Sequence, residues 1–315
     1  MADWEFQLVA GPYNSPTDGP VWDGEALLFS QLVHIASSPD NRLLRYDPQT
    51  GQVSDYRRWS HRTAGLAFGP NGVLYGCQSI CRRIVRFNKD GSTTPLAYRI
   101  EGKFHNQPKD LVVDRAGRIW FTDPIWGPAV QGGLREHELE PYTIEFTSVL
   151  RMDTADRHSH LRRMTYDTQS PTAIALSQDE KTLYVSENSD DPGAKRELRA
   201  YPVLEDGSLG PGAVLHVFGA DYRGAHRGVS GMCLDTEGNI VACAGWDRSG
   251  PGPMVYVFSA RGRVLETHPV PAAQPTNCAF GGPDLRTLYV TTTEGHLFRV
   301  PNSGRQGWLI YPPPH

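Results

Sequence analysis

Four histidines, His34, His61, His105 and His226, fall in segments that read as connections between strands rather than as strands. An imidazole titrates near neutral pH, so each can act as general acid or base if it faces a concave site. Each also has a plainer reading as a solvated loop histidine. Trp126 and Trp246 directly follow apolar strand-like runs, where an indole can wall an apolar pocket or simply pack between sheets. Asn277 opens another such run and can offer its amide to a ligand. These residue types suit proton transfer and hydrogen bonding on a small organic molecule.

Other chemistries lack their signatures. No Gly-x-Ser-x-Gly elbow is present, and Gly-rich pieces such as Gly250-Pro-Gly252 precede no helical pattern, so neither a serine triad nor a nucleotide loop is supported. Cys77, Cys81, Cys233, Cys243 and Cys278 are odd in number and mostly lie in strand-like runs, as expected of reduced, buried thiols. Lys and Arg total 31 against 35 Asp and Glu, a net charge of -4 with no long block of either sign. Nothing in that pattern points to a nucleic-acid or anionic-membrane surface, and a small-molecule or neutral partner fits better.

The elements that must position these residues repeat. In His105 to Pro124, Leu111-Val-Val113 is apolar without alternation, as in a strand buried on both faces. Asp114 to Gly117 supplies turn chemistry, and Ile119-Trp-Phe121 reads as the return strand. The same hairpin recurs at Gly19 to Phe29, Gly65 to Tyr75, Ala173 to Tyr184, Gly231 to Val241 and Cys278 to Tyr289. Six copies spaced by roughly 45 to 65 residues are the pattern of propeller blades. Arg42 to Val53, Arg83 to Gly91, Ser148 to Asp153, Glu197 to Pro202 and Met254 to Ser259 supply the outer strands.

The expected fold is therefore all-β: a six-bladed β-propeller of four-stranded blades around a central funnel, one domain over residues 1–315. Trp4 to Ala10 alternates polar and apolar residues and should close the ring against Leu297 to Val300 or Trp308 to Tyr311. Ile125 to Phe146 and Asn188 to Arg196 break the rhythm and read as long rim loops. No apolar run has membrane-spanning length, and the N-terminus lacks signal-peptide regions. A cytoplasmic protein is expected; oligomeric state is not legible.

Gly19-Pro-Val-Trp22, Lys109 to Pro124, Ser177 to Val185 and Pro275 to Val290 together resemble the gluconolactonase, regucalcin and luciferin-regenerating enzyme family over essentially the whole chain. The resemblance implies a six-bladed propeller whose funnel holds one calcium or zinc ion that polarises a lactone carbonyl or a water. It also implies four ligands, and none is kept. The family's Glu, Asn, Asn and Asp fall on Asp18, Lys109, Thr172 and Ser230, while Gln78 and Ala64 stand where the family often has Glu and Asn.

Asp18 with two hydroxyls is a poor set for a hard dication, although Asp18 is the natural ligand if a metal does bind. An ammonium at position 109 would repel the ion. The expectation is a site without a cofactor in which Lys109 pairs with Asp18. Lys109 would act as an electrophile, or as a base if burial lowers its pKa; otherwise the pair is a structural plug.

The functional expectation is a lactonase-like hydrolase with Lys109, Asp18, Thr172 and Ser230 in catalytic roles. His34, His61, Gln78, His105, Trp126, Trp246 and Asn277 would contact substrate. The rivals are a metal-free lyase or cyclase of the strictosidine synthase-like kind and a ligand-binding or regulatory propeller without turnover.

Overall fold

The computed structural model describes residues 4–33, 38–97, 99–125, 143–153, 160–189, 191 and 193–313. Six four-stranded antiparallel sheets form the blades of a six-bladed β-propeller. Their innermost strands are Thr17–Trp22, Thr63–Phe68, Leu111–Val113, Pro171–Leu176, Val229–Leu234 and Pro275–Gly281, for blades 1 to 6 in chain order. Each touches the next, and the sixth touches the first, so the ring is closed. Gln7–Ala10 supplies the outermost strand of blade 6 by pairing with Leu297–Val300. Closure in this way leaves no free sheet edge between the chain ends.

The blades pack face to face, and this explains the apolar runs without alternation. Successive side chains of a strand point to opposite faces, and both faces of an inner hairpin meet a neighbouring blade. Ile119 and Phe121 pack towards blade 2, whereas Trp120 packs towards blade 4. Leu27 and Phe29 likewise face blade 6 while Leu28 faces blade 2. One apolar cluster fills each of the six interfaces. The outermost strands, such as Val53–Arg57, bury little.

The inner turns follow the sequence reading. In blade 3 the Gly117 N–H donates to Asp114 O at 2.8 Å, and Gly117 takes a φ of 78° that favours glycine. The Asp114 carboxylate then accepts from Arg118 N at 2.8 Å and from the buried Trp120 Nε1 at 2.9 Å. At the rim carrying these turns, Trp308 to Tyr311 crosses the axis. It closes a cavity of about 170 Å³ lined by Leu66, Asp110, Val112, Ile174, Asn277 and Cys278 among others. Trp308 N donates to Leu234 O at 3.0 Å, so this segment packs under the blades rather than joining blade 6. Among the described residues no helix is long and apolar enough to cross a membrane.

Candidate functional site

Each inner strand begins at the opposite, upper rim, and most begin with an irregularity. Pairing with the second strand shifts register between Asp18 and Val21, Thr63 and Leu66, Pro171 and Ile174, Val229 and Gly231, and Pro275 and Asn277. Such bulges bend a strand and re-aim its side chains. Here the bends crowd the strand starts together. A Cβ on Gly19 would lie 2.2 Å from Ala64 O, and one on Gly65 would lie 2.7 Å from Asp110 Oδ1. Gly65 N donates to Lys109 O at 2.8 Å. Glycine at 19 and 65 is thus what lets blades 1, 2 and 3 converge.

At that convergence the Lys109 Nζ donates to Asp18 Oδ2 at 2.5 Å, with the two side chains 14% and 3% exposed. The other carboxylate oxygen accepts from Gly19 N at 2.8 Å. Burial opposes the charge on Lys109, but Asp18 and Asp110 outweigh it and hold its pKa above the ordinary lysine value. The amine therefore stays protonated at neutral pH, and the possibility that burial frees it as a base does not hold. Asp110 braces backbone: its oxygens accept from Leu111 N at 3.1 Å and Ile174 N at 3.5 Å. Burial, partly offset by Lys109, pushes its carboxyl up to about 7.

Across the axis, Thr172 Oγ1 lies 3.0 Å from Ser170 O and 3.3 Å from Asn188 O. Asn188 Nδ2 donates to Ser230 Oγ at 3.2 Å while its Oδ1 accepts from Gly228 N at 3.0 Å. Beside it Glu187 is fully buried and accepts the backbone N–H groups of Gln169 and Ser170. Burial pushes its carboxyl up to about 7 despite those bonds. Glu187 escaped notice in the sequence and Asn188 read only as the start of a rim loop; the one signal was a polar end to the apolar run Leu183-Tyr-Val185. The four strand-start side chains offer one carboxylate, already bonded to an ammonium, and two hydroxyls. Among the described residues no three His, Cys, Asp or Glu side chains gather as metal ligands would.

Several residues expected to contact substrate are committed elsewhere. His105 is fully buried, with Nδ1 3.0 Å from Asp123 Oδ1 and its ring tilted against Phe121. It is not a rim side chain, because it is enclosed against Asp123 and Phe121, both in the second strand of blade 3. Gln78 is buried, donating to Ser60 O at 2.9 Å and accepting from Arg83 Nε at 2.6 Å, so both ends of its amide are used. Asn277 turns its Oδ1 to Cys278 N at 2.8 Å and lines the lower cavity.

Trp246 is half-buried at the upper end of the second strand of blade 5, donating to Ser249 Oγ at 2.7 Å. His61 is half-buried just before blade 2. His226 is half-buried, 3.8 Å from Asp221 Oδ2. His34 and Trp126 lie outside the described residues, as does most of Ile125 to Phe146.

The sequence reading also missed a set of arginines. Arg62 directly precedes the inner strand of blade 2; its Nε is buried without a hydrogen-bond partner, and burial lowers its pKa while Asp18 raises it. Arg82 is 6% exposed and donates Nη1 to His105 O at 3.2 Å. Arg227 lies 5.5 Å from the Trp246 ring centre, and burial together with Arg248 draws its pKa down to about 10. Single arginines in connecting segments carry no periodic signal.

Comparison with known proteins gives this site a family context. A gluconolactonase from Zymomonas mobilis is 27% identical over 88% of this chain and 76% of its own length. A 6-deoxy-6-sulfogluconolactonase from Pseudomonas putida is 28% identical over 87% of this chain and 82% of its own. The solved structure of a gluconolactonase from Xanthomonas campestris superposes with a TM-score of 0.72 at 28% identity, covering 96% of this chain and 90% of that one. The profile of the SMP-30/Gluconolactonase/LRE-like region matches residues 16–294, and the chain belongs to that family.

Proposed function

We propose that this protein hydrolyses a sugar-acid lactone at the upper mouth of the funnel, by a route that uses Lys109 and Asp18 in place of a metal ion. The observation that carries the reading is the buried Lys109–Asp18 pair at 2.5 Å, at the strand starts of a chain whose relatives include lactonases. A hard dication needs several oxygen donors with enough negative charge. Here the one carboxylate is taken by an ammonium, which would itself repel the ion in a poorly screened site. The residues present do not fit calcium or zinc, and no step is assigned to one.

The chemistry then falls to the chain's own groups. The Lys109 ammonium donates to the lactone carbonyl oxygen and stabilises the negative charge that develops there. Asp18 orients Lys109 and takes the proton of the attacking water through a remaining lone pair. Water oxygen bonds to the carbonyl carbon, the ring C–O bond breaks, and the ring oxygen takes up a proton. The Ser230 and Thr172 hydroxyls, at the strand starts of blades 5 and 4, would serve substrate hydroxyl groups.

Acid release above the spontaneous rate, followed by pH-stat on glucono-1,5-lactone and related aldonolactones, tests this reading. Turnover that survives exhaustive chelation, on protein holding no stoichiometric metal by plasma mass spectrometry, is the expected result. Activity lost to chelator and restored by calcium or zinc would overturn the metal-independent route. No acid release from any lactone, with ligand-induced thermal stabilisation intact, would instead indicate a binding protein.

A further inference from the structure

The geometry points to an anion-binding subsite at Arg62, beside the Lys109–Asp18 pair, so that the lactone taken by this site carries a second, negatively charged group: a carboxylate, phosphate or sulfonate. This inference rests on the lactonase reading for the word lactone and on the charge arrangement for the rest.

Arg62 sits two residues before Ala64, whose carbonyl oxygen abuts Gly19, and three before Gly65, which donates to Lys109 O at 2.8 Å. It therefore stands at the upper rim on the blade between Asp18 and Lys109. One carboxylate, Asp18, acts electrostatically on both cations there, and its two oxygens already accept from Lys109 Nζ and Gly19 N.

The other described carboxylates close by are engaged elsewhere. Asp110 is turned to the N–H groups of Leu111 and Ile174, and Asp123 to His105 and Asn106 N. Arg62 Nε remains buried without a hydrogen-bond partner. A guanidinium offers paired donors that match an oxyanion, whereas a neutral sugar ring leaves two cations sharing one carboxylate.

The test compares glucaro-1,4-lactone, which carries a free carboxylate, with glucono-1,4-lactone, which has the same ring size and none. In the wild-type protein kcat/KM should favour the charged lactone. Arg62→Gln should lower that preference about 10- to 100-fold, the loss of one charge-assisted pair, with Arg62→Lys retaining part of it. Competitive inhibition by glucarate stronger than by gluconate separates recognition of a substituent from recognition of the carboxylate that hydrolysis itself creates. Inorganic phosphate alone should inhibit only weakly.

Equal kcat/KM for both lactones, unmoved by Arg62→Gln, overturns the subsite and leaves the lactonase reading standing. Phosphate inhibiting as strongly as glucarate also overturns it, because the site would then take free anions. If no lactone is hydrolysed but glucarate raises the melting temperature of wild type and not of Arg62→Gln, the subsite stands and the lactonase reading falls. Should Arg62→Gln not fold, the ranking of glucarate, gluconate and phosphate on the wild-type protein decides alone.

Discussion

Lys109 and Asp18 lie 91 positions apart in the chain and 2.5 Å apart in space, joined by a hydrogen bond between buried charges. Removing one partner leaves the other charge buried without its hydrogen-bonded counter-ion. Lys109→Met should destabilise the fold by about 3–5 kcal/mol and, as the loss of an oxyanion donor, lower kcat by about 10²- to 10³-fold. Denaturant titration and pH-stat kinetics check both. The double variant Asp18→Asn/Lys109→Met should regain much of the stability and none of the activity. Undiminished turnover in Lys109→Met would reduce the pair to a structural plug.

Gly65→Ala addresses the same pair from a distance. The added Cβ would fall 2.7 Å from Asp110 Oδ1 and 2.8 Å from Lys109 O, so backbone must shift. Overpacking of this kind costs about 1–3 kcal/mol, and the displaced Lys109 should lower kcat more than it raises KM. A variant with wild-type kcat would show that the position of Lys109 is not critical.

Stability should fall as pH rises from about 4 to about 7. Burial raises the carboxyls of Asp110 and Glu187 to about 7 in the folded protein, above their ordinary range. Over that interval the folded state holds protons that the unfolded state has released, so raising the pH favours unfolding. Lys109 has the opposite location: its raised pKa adds stability that is present at neutral pH and lost only in the alkaline range as its folded pKa is passed. Urea unfolding at pH 5 and pH 8 should therefore give the higher midpoint at pH 5. Glu187→Gln, whose amide oxygen can still accept from Gln169 N and Ser170 N, should shrink that difference. A higher midpoint at pH 8 would contradict the buried-carboxyl account.

Arg305 clamps the lower face. It donates Nη1 to the buried Asp235 at 2.6 Å and Nη2 to Glu266. Arg305→Ala should cost about 2 kcal/mol or more by leaving Asp235 unpaired, while lactone kinetics below the melting temperature stay unchanged because the site is on the opposite rim. Equal losses of stability and kcat would mean that the two rims are coupled.

The metal-binding pattern of the family should be recoverable. Asp18→Glu, Lys109→Asn, Thr172→Asn and Ser230→Asp together remove the ammonium and supply oxygen donors, and the product should bind about one calcium ion per chain by isothermal titration. Restoring the first three without Ser230→Asp should bind more weakly, since one carboxylate is missing. No binding in the full combination would mean that the strand starts themselves have moved.

Much of the architecture was legible because it is local. An inner hairpin such as Leu111 to Phe121 writes its apolar run, its Asp114–Gly117 turn and its aromatic return within a dozen residues, and six copies at this period are the pattern of propeller blades. The strand starts were legible too, and the family resemblance singled out Asp18 and Lys109 among them, although their contact depends on how the blades meet. The loops were not. His105 read as a rim histidine and is fully buried against Asp123, while Arg62 carried no signal and directly precedes the inner strand of blade 2, where the Asp18 charge acts on it.

What the sequence alone determined, then, is the blade, its repeat and the residue types at each strand start. What only the tertiary structure decided is how those starts meet: whether Lys109 is held charged, which amides are consumed by backbone, and which arginine feels the charge of Asp18. Those outcomes depend on ring closure and on bulges that bring residues from three blades within hydrogen-bond reach, and electrostatics at such short range depends on ångström positions that no local pattern encodes.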